Sequence, residues 1–180
     1  MMMHSIIFAG FGGQGVMLMG QVLAQAAMNE GKHTTWFPSY GPEMRGGTAN
    51  CTVVVSDEPV ASPVVDTPLE VVAMNIPSLL KFEPKLKKDG YLFINTSVID
   101  RKPQRNDVKV IEIPANDIAE KLGNVKVANM VVLGAFVYTT KCTEVDSLIE
   151  AMKYKLSAKN SEIIELNVKA IFEGVKHVGG

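Results

Sequence analysis

Apolar residues fall in short blocks along the chain, and their spacing changes from block to block. Residues 4–9 hold two Ile and a Phe in a short apolar run, the length and content of a strand buried on both faces. Residues 14–30 behave differently. Their polar positions Gln21, Gln25 and Asn29 recur every four residues, which gives a helix one narrow solvent stripe. Gly20, Ala24, Ala26 and Ala27 keep its other faces small enough to approach a sheet closely, and Gly31 stands where a glycine ends a helix.

The pattern continues as alternating units. Strands are predicted over residues 32–37, 51–56, 70–74, 91–95 and 108–113, and helices over 77–86, 115–122, 129–139 and 160–177. The last helix has a clean stripe of Ile164, Val168, Ile171 and Val175. Residues 38–48 read as a loop from their Pro and Gly content, and residues 57–68 as a proline-rich passage. Strands alternating with helices predict a three-layer α/β fold. Its sheet is mostly parallel, with a glycine-rich first βα turn and some antiparallel strands from the 38–63 region. Residues 1–180 form one domain, without repeat or linker.

Composition narrows the partners. The chain has 180 residues, 47% hydrophobic and 21% charged, with a net charge of −1. That balance argues against nucleic acid or an acidic membrane surface as a partner, since both need a basic patch. Arginine is scarce: only Arg45, Arg101 and Arg105. The cysteines, Cys51 and Cys142, lie far apart and cannot supply a four-thiolate cluster or a zinc site. Reduced, packed thiols in a cytoplasmic protein are the expectation. The first residues lack a basic segment and a long apolar run, so neither a signal peptide nor a membrane span is expected, and the repeated Met leaves the start codon open.

Two stretches carry candidate chemistry. Gly10-Phe11-Gly12-Gly13-Gln14-Gly15 fits G-x-G-x-x-G between a predicted strand and a predicted helix. Such a turn brings backbone N–H groups and a positive helix end to a phosphate or carboxylate; alternatively its glycines only make a tight turn. A nicotinamide site would also need a carboxylate at the end of the second strand to hold the ribose. That strand ends in Trp36-Phe37-Pro38-Ser39, and neither Glu30 nor Glu43 is placed for the task. The second stretch, Ser39-Tyr40-Gly41-Pro42-Glu43-Met44-Arg45-Gly46-Gly47, sets polar side chains on a permissive backbone. It is expected at the carboxyl edge of the sheet, beside the first turn. There Arg45 could clamp a phosphate or carboxylate, or pair with Glu43 in a structural arrangement. His4, His33 and His177 have no metal spacing and are expected to be ordinary core or surface residues.

Together the two stretches resemble the gamma subunit of the 2-oxoacid:ferredoxin oxidoreductases. Ser62-Pro63, Asn129-Met130 with Gly134, and Asn167-Val168-Lys169-Ala170 with Gly174 extend the likeness over nearly the whole chain. The resemblance implies a complex that turns a 2-oxoacid, coenzyme A and oxidised ferredoxin into acyl-CoA, carbon dioxide and reduced ferredoxin. It implies thiamine diphosphate, Mg2+ and iron–sulfur clusters, carried by alpha, beta and ferredoxin-like partner subunits, because this chain has no thiamine-type G-D-G…N-N segment and no ferredoxin-type cysteine run. It implies that this chain alone binds none of those cofactors and helps position coenzyme A through Gly10, Gly12, Gly13, Gln14, Gly15, Ser39, Tyr40, Gly41, Glu43, Arg45, Gly46 and Gly47. Met44 and Gly47 depart from the arginine-richer loop of the pyruvate group. They resemble the 2-oxoglutarate or branched-chain groups, of which 2-oxoglutarate is placed first. A stand-alone NAD(P)-binding oxidoreductase and a purely structural subunit are the alternatives.

Overall fold

The computed structural model describes residues 2–39 and 48–180. In chain order the described elements are β1 (Met3–Phe11), α1 (Val16–Asn29), β2 (His33–Ser39), β3 (Thr48–Ser56), β4 (Glu70–Ala73), α2 (Ile76–Phe82), β5 (Tyr91–Asn95), β6 (Lys109–Ile113), α3 (Ala115–Lys121), α4 (Ala128–Thr140), α5 (Val145–Lys155) and α6 (Ser161–Gly179). Short 3-10 turns occupy Glu83–Lys85 and Val125–Val127.

One sheet has the order β2-β3-β1-β4-β5-β6. From β1 through β4 and β5 to β6 the pairing is parallel. The antiparallel β3 lies between β1 and β2, so β2 runs in the same direction as β1. β1 is apolar at consecutive positions because both of its faces are covered. Ile6 and Phe8 join Val53, Val72 and Phe93 in one core, whereas Ile7 and Ala9 join Val71, Leu92 and Ile94 in the other. The three predicted layers are present but unequal. The first core takes residues from α1, α3, α4, α5 and α6; the second is closed by Leu79 and Phe82 of α2 with Leu86 and Ile99.

α4 is buried at every position from Ala128 to Val137, as expected for a helix covered on all sides. Phe136 meets Phe8 edge-on, with ring centroids 5.6 Å apart, and Phe93 at 5.1 Å. α6 presses on α4 with backbone against backbone. A methyl group on Gly134 would strike the carbonyl of Ile171, and one on Gly174 would strike the carbonyl of Val131.

Several elements depart from the sequence-based expectation. α5 occupies residues for which the pattern offered no element. Its apolar positions Val145, Leu148, Ile149 and Met152 do have helical spacing, but over 11 residues only. β2 runs through Pro38 to Ser39 instead of stopping at Phe37. As an edge strand it has a free side where a missing N–H is tolerated. β3 begins at Thr48, three residues before the expected start. Arg105 pins the polar loop before β6 onto α2: its guanidinium makes two bonds to the Asp107 carboxylate, at 2.7 and 2.6 Å, while Glu83 accepts the Gln104 and Arg105 N–H groups.

At the amino edge of the sheet, Glu70 is 1% exposed, and its Oε1 lies 2.6 Å from His4 Nδ1. His4, expected to be unremarkable, is thus the main partner of a buried acid. Burial raises the Glu70 pKa above its ordinary value, against the pull of His4 and the Ser5 N–H.

Two outcomes follow from this architecture. Gly174→Ala forces α4 and α6 apart and should cost about 1–3 kcal/mol, read by urea denaturation; unchanged stability would show that the helices are not in direct backbone contact. A carboxyl whose pKa is raised in the fold stabilises the protein below its ordinary value, near 4.5, and loses that contribution as pH rises through the folded value. The unfolding free energy of Glu70→Gln minus that of the wild type should therefore increase from pH 4.5 upward and then level off, and a difference that falls with pH would contradict this.

Candidate functional site

α1 leaves β1 for one face of the sheet, and α2 leaves β4 for the other. The carboxyl ends of these adjacent parallel strands therefore border a crevice at the point where chain direction switches, where open α/β sheets bind ligands. The glycine turn lies in this crevice. Gly10 is still part of β1, paired with Ala49, and its missing Cβ leaves room for Gln14 Oε1 and Met74 Cβ. Gly13 and Gly15 have φ of +93° and +75°, a region costly for other residues.

Gln14 ties the turn together. Its Oε1 accepts from the Phe11 N–H at 2.6 Å, and its Nε2 donates to the Met74 carbonyl at 2.9 Å, joining the ends of β1 and β4. Gly15 precedes α1 without any capping side chain, and the first turn has no acidic residue. The leading N–H groups of the helix have no acceptor within it, and among the described residues no side chain substitutes for one. Asn129, at the start of α4, fits against Gly15, where any side chain would collide with its carboxamide. Its Nδ2 donates to the Gly15 carbonyl at 3.4 Å.

Two cavities flank this helix end. One of about 160 Å3 is lined by Gly13, Gln14, Met74, Asn116, Lys126 and Asn129 among others. The second, of about 400 Å3, runs past Phe11, Gly12, Gly13, Gly15 and Gln21. Carboxamides frame the rest of the edge. Asn75 caps α2 by accepting from the Ser78 N–H at 2.8 Å, and its buried Nδ2 has no partner among the described residues. Asn95, at the end of β5, accepts from the Ala115 N–H and donates to Asn116.

The sequence-predicted residues divide into two groups. Gly10, Gly12, Gly13, Gln14 and Gly15 meet at the crevice. Ser39 ends β2 opposite Asn50, and Thr48 opens β3 opposite Phe11, so both anchors of the intervening loop lie at the carboxyl edge near the turn. The reason is a hairpin-type connection, not the βα connection of a parallel sheet. Tyr40, Gly41, Glu43, Arg45, Gly46 and Gly47 lie outside the described residues. Lys126 and Asn129 were not singled out as site residues; they reach the turn from more than 100 positions away in sequence. The structure also moves the nicotinamide test. The parallel neighbour of β1 is β4 rather than β2, and β4 leads into Met74 and Asn75, again with no carboxylate.

Residues 5–177 match the family model described as pyruvate ferredoxin/flavodoxin oxidoreductase. The chain belongs to this family. It is 44% identical over 168 residues to ketoisovalerate oxidoreductase subunit VorA of Methanothermobacter marburgensis, covering 92% of this chain and 34% of VorA. It thus spans about a third of that relative's length. It is 37% identical over 187 residues to 2-oxoglutarate synthase subunit KorC of the same organism, covering 97% of this chain and 100% of KorC. Among solved structures, the keto/oxoacid ferredoxin oxidoreductase gamma subunit of Geobacter sulfurreducens aligns with a TM-score of 0.84 at 29% identity, covering 97% of this chain and 98% of that one. A 2-oxoglutarate:ferredoxin oxidoreductase from Magnetococcus marinus, with 2-oxoglutarate, coenzyme A and succinyl-CoA bound, aligns with a TM-score of 0.90 at 25% identity, covering 98% of this chain and 31% of that one.

Proposed function

We propose that this chain is the gamma-type component of a thiamine-diphosphate-dependent 2-oxoacid:ferredoxin oxidoreductase. The complex makes acyl-CoA, carbon dioxide and reduced ferredoxin from a 2-oxoacid, coenzyme A and oxidised ferredoxin. The observation that carries this reading is the uncapped α1 N-terminus at the β1/β4 crevice, in a chain of this family. In the assembled complex it presents backbone N–H groups to an anionic group of coenzyme A, and Arg45 of the adjoining loop adds a charge-assisted contact.

Thiamine diphosphate, Mg2+ and the iron–sulfur clusters belong to alpha, beta and ferredoxin-like partners in this reading. The two cysteines do not suit a cluster. Cys51 and Cys142 are buried and separate, and burial pushes their thiols up to about 12 and about 11, away from the thiolate a cluster needs. Among the described residues no group of three His, Cys, Asp or Glu could hold a metal ion. Among the described residues no helix is long and apolar enough to cross a membrane; the reading places the complex in the cytoplasm. A stand-alone NAD(P) enzyme is disfavoured by the missing ribose carboxylate at β4, and a purely structural subunit by a helix end that has no side-chain cap among the described residues. For the 2-oxoacid, the higher identity to a ketoisovalerate subunit favours a branched-chain substrate over the 2-oxoglutarate suggested by the loop.

Arg45→Ala in the assembled complex should raise the coenzyme A KM severalfold, or lower turnover, and leave the 2-oxoacid KM unchanged. Steady-state ferredoxin reduction at varied coenzyme A measures this. Unchanged constants would remove Arg45 from the site.

A further inference from the structure

The amino edge of the sheet, opposite the glycine turn, is acidic at one end and basic at the other. From residue 57 to residue 80 the chain has no lysine, arginine or histidine, and Asp57, Glu58 and Asp66 are exposed. Residues 81–109 reverse the sign. They hold eight of the 18 basic residues and four of the 19 acidic ones, a net charge of +4 in a chain whose total is −1.

Two of those four acids are already committed. Glu83 is buried and accepts the Gln104 and Arg105 N–H groups, and Asp107 is bound by the Arg105 guanidinium. Lys81, Lys85, Lys87, Lys88 and Lys109 are exposed and form no salt bridge among the described residues. The fold sets the two stretches side by side. β3 is antiparallel to β1, so it ends at the edge where β4, β5 and β6 begin. Three strand spacings separate β3 from β5, roughly 14 Å at about 4.8 Å each. The Lys87 N–H donates to the Pro68 carbonyl, which joins the acidic passage to the basic one. Each stretch also exposes an aliphatic side chain, Val64 at 61% and Leu80 at 45%.

An edge of two signs repels any partner of one sign at one of its ends. A polyanion, or an acidic protein face, would meet Asp57, Glu58 and Asp66 as soon as it reached past the lysines. A second copy of the chain has the matching pattern. We propose that this edge is the interface of a two-fold symmetric dimer. The symmetry places the acidic 57–66 passage of each copy on the basic 81–109 stretch of the other, so every attraction is made twice. Val64 and Leu80 supply apolar area within a charged rim. The glycine turns, at the opposite edge of each copy, stay uncovered.

Sedimentation equilibrium of the full chain tests this. At low salt the expected species is a dimer, and its dissociation constant should rise at least tenfold in about 0.5 M NaCl. Lys85→Glu with Lys88→Glu, or Glu58→Lys with Asp66→Lys, all at exposed positions, should each weaken the dimer at least tenfold. Mixing the two double variants should restore it, because the reversed surface of one then faces the reversed surface of the other. The salt series on the wild type needs no variant to fold. A monomer at low salt, association indifferent to salt or to charge reversal, oligomers that grow beyond the dimer, or a mixture that stays monomeric would each overturn the proposal.

Discussion

A helix cannot satisfy its own first N–H groups, and it normally begins at a residue whose side chain does so. α1 begins at Gly15, with φ +75° and no side chain to offer. The adjacent side chain, Gln14, is committed elsewhere, to the Phe11 N–H and the Met74 carbonyl. Among the described residues the positive end of the helix therefore stays uncapped, in the crevice where β1 and β4 send their helices to opposite faces. Placing and holding that end is a task shared by much of the fold. β1 is gripped on both faces by separate cores, and α4 carries Asn129 to the one spot where Gly15 leaves room for it.

The rest of the carboxyl edge is consistent with an anionic visitor. Asn75, Asn95, Asn116 and Asn129 close the loops there with neutral carboxamides. Carboxylates could form similar caps, but they would offset the helix dipole and repel a phosphate. The acidic groups that the fold buries, Glu70 and Glu83 among the described residues, belong to other tasks. Glu70 is set beside His4 at the amino edge, and Glu83 accepts the backbone N–H groups of the loop before β6.

Much of this was legible from the sequence, for identifiable reasons. The apolar run of β1 and the four-residue polar recurrence of α1 are local signals, and local signals survive folding. The direction of β3 is not local. Nothing in Cys51-Thr52-Val53-Val54-Val55 distinguishes an antiparallel strand from a parallel one, although some antiparallel strands were expected from the 38–63 region. α5 escaped notice because charged and polar residues interrupt a stripe of only a few turns. The glycine turn stood out as a motif, but the tasks of its neighbours did not. Asn129 touches Gly15 across 114 positions. Asn167 is buried only once α6 folds and turns its Nδ2 back onto the Ile163 carbonyl. Of the arginine loop, the other half of the sequence signal, the described residues include only the anchors Ser39 and Thr48.

The central claim is that coenzyme A meets the open end of α1. Hydrogen–deuterium exchange on the assembled complex, with and without coenzyme A, tests it at the backbone groups concerned. The account predicts slower exchange over residues 12–18 when coenzyme A is bound, with little change at the amino edge around His4 and Glu70. Unaltered exchange over residues 12–18, in a complex saturated with coenzyme A and turning over, would contradict it.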